Sequence, residues 1–123
     1  MKALIAALAL LPTLAAAAPS ATPNSEITRP ADLSALTASH SGYTFQTLAF
    51  QDRNGQAYRV FLGIPDSQPP ATGYPVLYAL DGNALPEYLA APALQDLSAN
   101  PPVLVLIGYP TDLRFDTARR AYD

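Results

Sequence analysis

At 123 residues the chain has room for one small domain and not for two. It contains no cysteine, which excludes disulfides, thiol catalysis and Cys-based metal sites. Lys2 is the only lysine, and beyond it six arginines face ten acidic residues, a net charge of −4 that excludes attraction to nucleic acid or an anionic membrane surface.

The chain opens on Met1-Lys2, a minimal positive start, followed by the apolar run Ala3–Leu14 and the small residues Ala15–Ala18. This order is that of a secretory signal peptide over residues 1–18. Cleavage is expected after Ala17, because a cut after Ala18 would place Pro19 beside the scissile bond. The run is too short for a membrane span, which needs about 20 apolar residues. The expected location is therefore outside the cytoplasm, periplasmic or secreted, with no membrane span once the signal is removed.

Residues 19–41 begin with PSATPNSEITRP, which is polar and proline-rich, and read as a flexible linker. Within them, Ala31–Thr37 is expected either to form one helical turn or to stay irregular. Residues 42–123 hold the folded portion. Tyr43–Phe50 alternates apolar and polar residues, as a half-exposed strand does. Asn54-Gly55 is a two-residue hairpin signal, and Ala57–Ile64 is the returning strand. Pro65–Gly73 carries three prolines and is a loop.

Tyr74–Ala84 (YPVLYALDGNA) is the organising stretch. Pro75–Leu80 predicts a fully buried parallel strand, ended by Asp81-Gly82-Asn83. Leu85–Ala99 spaces Leu85, Tyr88, Leu89, Leu94 and Leu97 as a helix does. Pro86 suits its first turn, and Pro92 predicts a kink or division there. Val103–Ile107 predicts a second fully buried strand. Thr111–Asp123 is polar and predicts a loop over the top of a sheet. A hairpin, then strand, helix and strand joined in a right-handed βαβ unit, is an α/β arrangement, the opening of an α/β-hydrolase sheet.

Three blocks carry a family resemblance: YRVFLGIP at Tyr58–Pro65, GYPVLYALDGNA at Gly73–Ala84 and VLIGYPTDLRFDTARRAYD at Val105–Asp123. From Tyr43 to Asp123 the chain resembles the opening part of the esterase D-like α/β-hydrolases, and within them the periplasmic esterases of catecholate trilactone siderophores. The resemblance implies an exported carboxylic-ester hydrolase whose substrate is a small-molecule ester such as a ferric siderophore. It implies no cofactor and no metal of the protein's own.

In that family the nucleophile lies in a later Gly-x-Ser-x-Gly elbow, followed by the acid and the His. Ser34, Ser39, Ser41, Ser67 and Ser98 all lack the flanking glycines, and His40, the only histidine, precedes the sheet. The catalytic Ser, acid and His are thus expected beyond Asp123, the sheet stopping short of the elbow, and the chain alone is expected to be inactive.

What the resemblance does place here is the loop after the third strand, which gives one backbone N–H to the oxyanion hole. Gly82 lets the backbone turn closely, and Asn83 or Ala84 would donate that N–H to the anionic tetrahedral intermediate. The bland alternative is that Asp81-Gly82-Asn83 ends a strand and caps the next helix. Asp81 has no Ser or His neighbour and is not expected to be a catalytic acid. Arg120 is expected to contact substrate through its planar fork, the alternative being a surface ion pair with Asp116 or Asp123. Of the seven tyrosines, Tyr109, at the carboxyl end of a strand, is the expected substrate contact.

Two other functions suit the same residues. One is a non-catalytic hydrolase-like domain that binds a ligand or partner along a sheet edge, with Val103–Ile107 as that edge. The other is an esterase or acyltransferase working on feruloyl, acetyl or cell-wall acyl esters.

Overall fold

The computed structural model describes residues 25–38, 41–89 and 91–121. Four strands form one mixed sheet: β1 (Tyr43–Gln51), β2 (Ala57–Pro65), β3 (Val76–Ala79) and β4 (Val103–Gly108). Their order across the sheet is β1-β2-β4-β3. β1 pairs with β2 and β2 with β4 antiparallel, and β3 pairs with β4 in parallel. The sheet contains the hairpin and the β-α-β unit read from the sequence.

The hairpin forms, but its turn is wider than two residues. Asp52 Oδ1 accepts from the Asn54 and Gln56 amides at 2.8 and 2.7 Å. The Gly55 amide donates to the Asp52 carbonyl, and Gly55 takes φ +77°. The acidic side chain has replaced the tight Asn-Gly turn with a capped five-residue loop.

One face of the sheet is covered. Tyr43, Phe61, Leu104 and Leu106 point to it and pack with Leu94 of α2 (Ala91–Asp96). Leu33 and Leu36 lie against this core, so part of the segment expected to be a linker is docked. That segment carries α1 (Ser25–Thr28) and a 3-10 turn at Ser34–Thr37. Pro30 bridges Leu113, and the Ala31 amide donates to the Asp112 carbonyl at 2.8 Å. The apolar spacing of Leu33 and Leu36, hidden among polar neighbours, is what ties it down. Residues 1–24, with the expected signal peptide, and His40 lie outside the described residues.

Two expectations are corrected. The stretch Pro75–Leu80 is not a buried central strand: β3 is an edge, with Val76, Leu77 and Tyr78 exposed. Val103–Ile107 is not an edge, since β4 pairs on both sides; nor is it buried on both faces, since Leu104 and Leu106 are buried while Val103, Val105 and Ile107 are half-exposed. Of the two outcomes expected at Pro92, Leu85–Ala99 shows division and not a kink. A 3-10 turn at Leu85–Tyr88 is followed by the separate α2, whose second residue is Pro92. Proline costs no hydrogen bond in a first turn, so Pro92 starts a helix instead of bending one.

The loop over the top of the sheet contains α3 (Thr117–Arg120). Asp116 caps it by accepting from the Arg119 amide at 3.0 Å.

Candidate active site

The loop after β3 and the loop after β4 meet above the parallel pair. Two glycines let them. A Cβ on Gly82 would come within 2.7 Å of the Leu106 and Ile107 carbonyl carbons. A Cβ on Gly108 would lie 2.1 Å from Asn83 Oδ1. Only bare backbone fits at both places.

Asn83 is 2% exposed and splints the two loops together. Its Nδ2 lies 3.0, 2.9 and 3.1 Å from the carbonyls of Tyr109, Thr111 and Leu113. Its Oδ1 accepts from the Tyr109 amide at 3.1 Å. A carboxamide donates twice through its nitrogen and accepts through its oxygen, which suits a junction of carbonyls and an amide.

The backbone amides of the three expected oxyanion-hole residues differ. Gly82 N–H donates to the Ile107 carbonyl, and Ala84 N–H to the Asp81 carbonyl, both at 2.8 Å. Among the described residues no acceptor lies on the Asn83 N–H. A buried amide without a partner is rare, because its desolvation is not repaid.

Asp81 precedes this loop with φ +57°, a left-handed backbone that Asp and Asn tolerate better than most residues. Its Oδ2 pairs with Arg120 Nη2 at 3.1 Å, so the side-chain ion pair of Arg120 is with Asp81 and not with Asp116. The Arg120 amide does donate to the Asp116 carbonyl. Asp123 lies outside the described residues. Asp81, Arg120 and Tyr109 line one cavity of about 370 Å³ together with Tyr58, Leu80 and Ile107. Two of the expected site residues, Tyr109 and Arg120, are thus brought together, and the Gly82–Ala84 loop begins at the cavity's Asp81 wall.

Arg119 lies against the pair of tilted rings of Tyr58 and Tyr109, whose centroids are 5.9 Å apart, 4.9 Å from the first and 5.1 Å from the second. Its Nη1 donates to the Ala57 carbonyl at 3.0 Å. The cation–π contacts hold the aromatic wall in place. A second charged cluster ties the N-terminal arm to the same loops. Glu87 pairs with the buried Arg114 and, at 3.0 Å, with Arg29. Desolvation pushes the Glu87 carboxyl up, but the Tyr88 hydroxyl and the two guanidiniums outweigh it and leave its pKa below the ordinary value.

The pairing of Asp81 with Arg120, the Asn83 splint and the Arg119 contact with the Tyr58–Tyr109 ring pair were not foreseen. The first joins residues 39 apart in sequence, with no local signal. The splint had one: an Asn after Asp-Gly, facing a Gly at the end of the next apolar strand.

No protein-family model matches the chain. Over 83 residues it is 46% identical to an apo-salmochelin esterase of Escherichia coli O6:H1 (strain CFT073), a match that covers 66% of this chain and 26% of that protein. A solved structure, the enterobactin and salmochelin hydrolase IroE, superposes with a TM-score of 0.66 at 44% identity. The superposition covers 71% of this chain and 36% of IroE. Over these residues the chain belongs to the siderophore-esterase family. A structure of the BES protein from Bacillus cereus is similar at 30% identity and a TM-score of 0.58, covering 64% of this chain and 33% of that one. The chain therefore spans about a quarter of the curated esterase it matches. Among the described residues no helix is long and apolar enough to cross a membrane.

Proposed function

We propose that this chain forms the substrate-facing opening of an exported siderophore-type esterase, with the Asn83 N–H as one donor of its oxyanion hole. The observation that carries this is the buried, unpartnered Asn83 amide, held by its own side chain. Ester cleavage places negative charge on the former carbonyl oxygen, and a fixed N–H stabilises it without reorganising. The likeness to an apo-salmochelin esterase and to IroE supports siderophore esters as the substrate class. Tyr109 and Arg120 then present an aromatic face and a positive fork to the substrate.

No serine of the 123 residues sits in a Gly-x-Ser-x-Gly elbow, so the nucleophile and base belong to other sequence and the isolated chain leaves esters intact. Export is supported by the signal-peptide order of residues 1–18. It is checked by N-terminal sequencing of periplasmic protein, which should begin at Ala18. The function is tested by joining these residues to a nucleophile-bearing remainder of a siderophore esterase and assaying linear and cyclic catecholate esters. Hydrolysis that falls on Arg120→Ala supports the reading. Preference for feruloyl or acetyl esters over catecholate esters overturns the substrate class.

A further inference from the structure

The N-terminal arm meets the loop after β4 as a short piece of antiparallel ladder. Pro30 bridges Leu113, the Ala31 amide donates to the Asp112 carbonyl at 2.8 Å, and the Arg114 amide donates to the Arg29 carbonyl at 3.2 Å. Along an extended chain the backbone groups of successive residues face opposite ways. With Asp112 and Arg114 turned to the arm, the Leu113 carbonyl faces away from it, and there it accepts from Asn83 Nδ2 at 3.1 Å. Pro30, which has no N–H, sits where the ladder needs none. The arm therefore sets the direction of a carbonyl that holds Asn83.

The same register puts Arg29 directly opposite Arg114. Like charges facing each other across a strand pair push it apart. Here one carboxylate takes both. Glu87 Oε2 pairs with Arg29 Nη2 at 3.0 Å, and Oε1 pairs with Arg114 Nη2. The Arg114 and Glu87 side chains are 6% and 11% exposed, so little water screens the charges. Glu87 lies in the 3-10 turn that follows the Asn83 loop. Arm, top loop and Asn83 loop thus meet at a single side chain.

We propose that Glu87 is a positioning residue. By neutralising two opposed arginines it fastens the arm to the loop after β4, and through Leu113 it keeps the Asn83 N–H in its direction. The consequence for ester cleavage rests on reading that N–H as an oxyanion donor; the fastening itself does not.

The test follows amide peaks and amide exchange of this chain by NMR. Glu87→Gln keeps the shape of the side chain and removes its charge. The Ala31 and Asn83 peaks should both move, and Ala31 should exchange about ten-fold faster, as expected for the loss of charge-assisted bonds. Adding Arg29→Gln removes one of the two opposed charges. It should return both peaks toward their wild-type positions and bring exchange to within about three-fold of wild type. A side chain that merely adds stability gives no such rescue. An Asn83 peak that stays still while Ala31 moves overturns the proposal, as does a double variant no closer to wild type than Glu87→Gln. Should Glu87→Gln fail to fold, two double variants decide. Arg29→Glu with Glu87→Gln puts the carboxylate on the arm, opposite Arg114, and should exchange more slowly at Ala31 than Arg29→Gln with Glu87→Gln; equal or reversed rates overturn the proposal. In the joined hydrolase Glu87→Gln should lower kcat about ten-fold at unchanged KM, because the donor acts on the transition state, and Arg29→Gln should restore it. Peaks that behave as expected with kcat unmoved sink the oxyanion reading and leave the fastening standing. A lowered kcat with both peaks unmoved does the reverse.

Discussion

The two faces of this sheet are built from the same strands and meet different fates. On one, Phe61, Leu104 and Leu106 are 1–2% exposed beneath Leu94 of α2 and the N-terminal arm. On the other, Phe50, Tyr58, Val60, Tyr78, Val105 and Ile107 line an open apolar hollow of about 410 Å³. Phe50 is 60% and Tyr78 69% exposed there. The register sets the second row as firmly as the first, Phe50 opposite Tyr58, Val60 opposite Ile107 and Tyr78 opposite Val105. Apolar residues therefore report what a face is made of. What covers it is decided elsewhere in the chain.

The contrast can be broken from its covered side. Phe61→Ala should cost about 3–5 kcal/mol and Leu104→Ala about 2–5 kcal/mol, since each leaves a cavity in packed surroundings. Urea unfolding monitored by circular dichroism measures both. Asn83→Ala should cost less, about 2–4 kcal/mol, because it strands several buried carbonyls and the Tyr109 amide without opening a large void. The same variant should raise hydrogen exchange at Tyr109 more than at the β1–β2 hairpin.

A smaller effect is set by acid. The pKa of Glu87 is depressed in the folded chain, so its contribution is fully present above the unfolded value near 4.5. It is lost as pH falls from there through the lower folded value. Glu87→Gln should flatten the stability–pH curve in that window, and thermal melts between pH 3 and 6 would show a steeper wild-type fall. The smallest change belongs to the bare face: Val76→Thr and Tyr78→Thr should each alter stability by about 0.5 kcal/mol or less. A larger loss would mean that this face is covered in solution.

How legible was this in the sequence? The hairpin, the β-α-β order and the loop after β3 were readable because each rests on local signals: alternation, Gly and Pro punctuation, and an apolar run ended by Asp-Gly-Asn. The edge position of β3 was not, because Val76, Leu77 and Tyr78 look the same whether one neighbour pairs with them or two. β4 misled for a related reason, being apolar on both sides while only one side is packed. Pro92 was read as a breaker because the helix start beside it left no cap signal. Of the site, the Gly82–Ala84 backbone was visible, and so were Tyr109 and Arg120. Asp81 was set aside for want of a sequence neighbour, although its partner lies one loop away in space.

The two glycines at the meeting of the loops have different prospects under mutation. A methyl group at Gly108 runs into the tip of Asn83, so shortening Asn83 could relieve it, at the expense of the splint. At Gly82 the obstacles are main-chain atoms of Leu106, Ile107 and Gly108, which no second substitution can trim away. A genetic screen for suppressors should recover them for the first lesion and return none for the second.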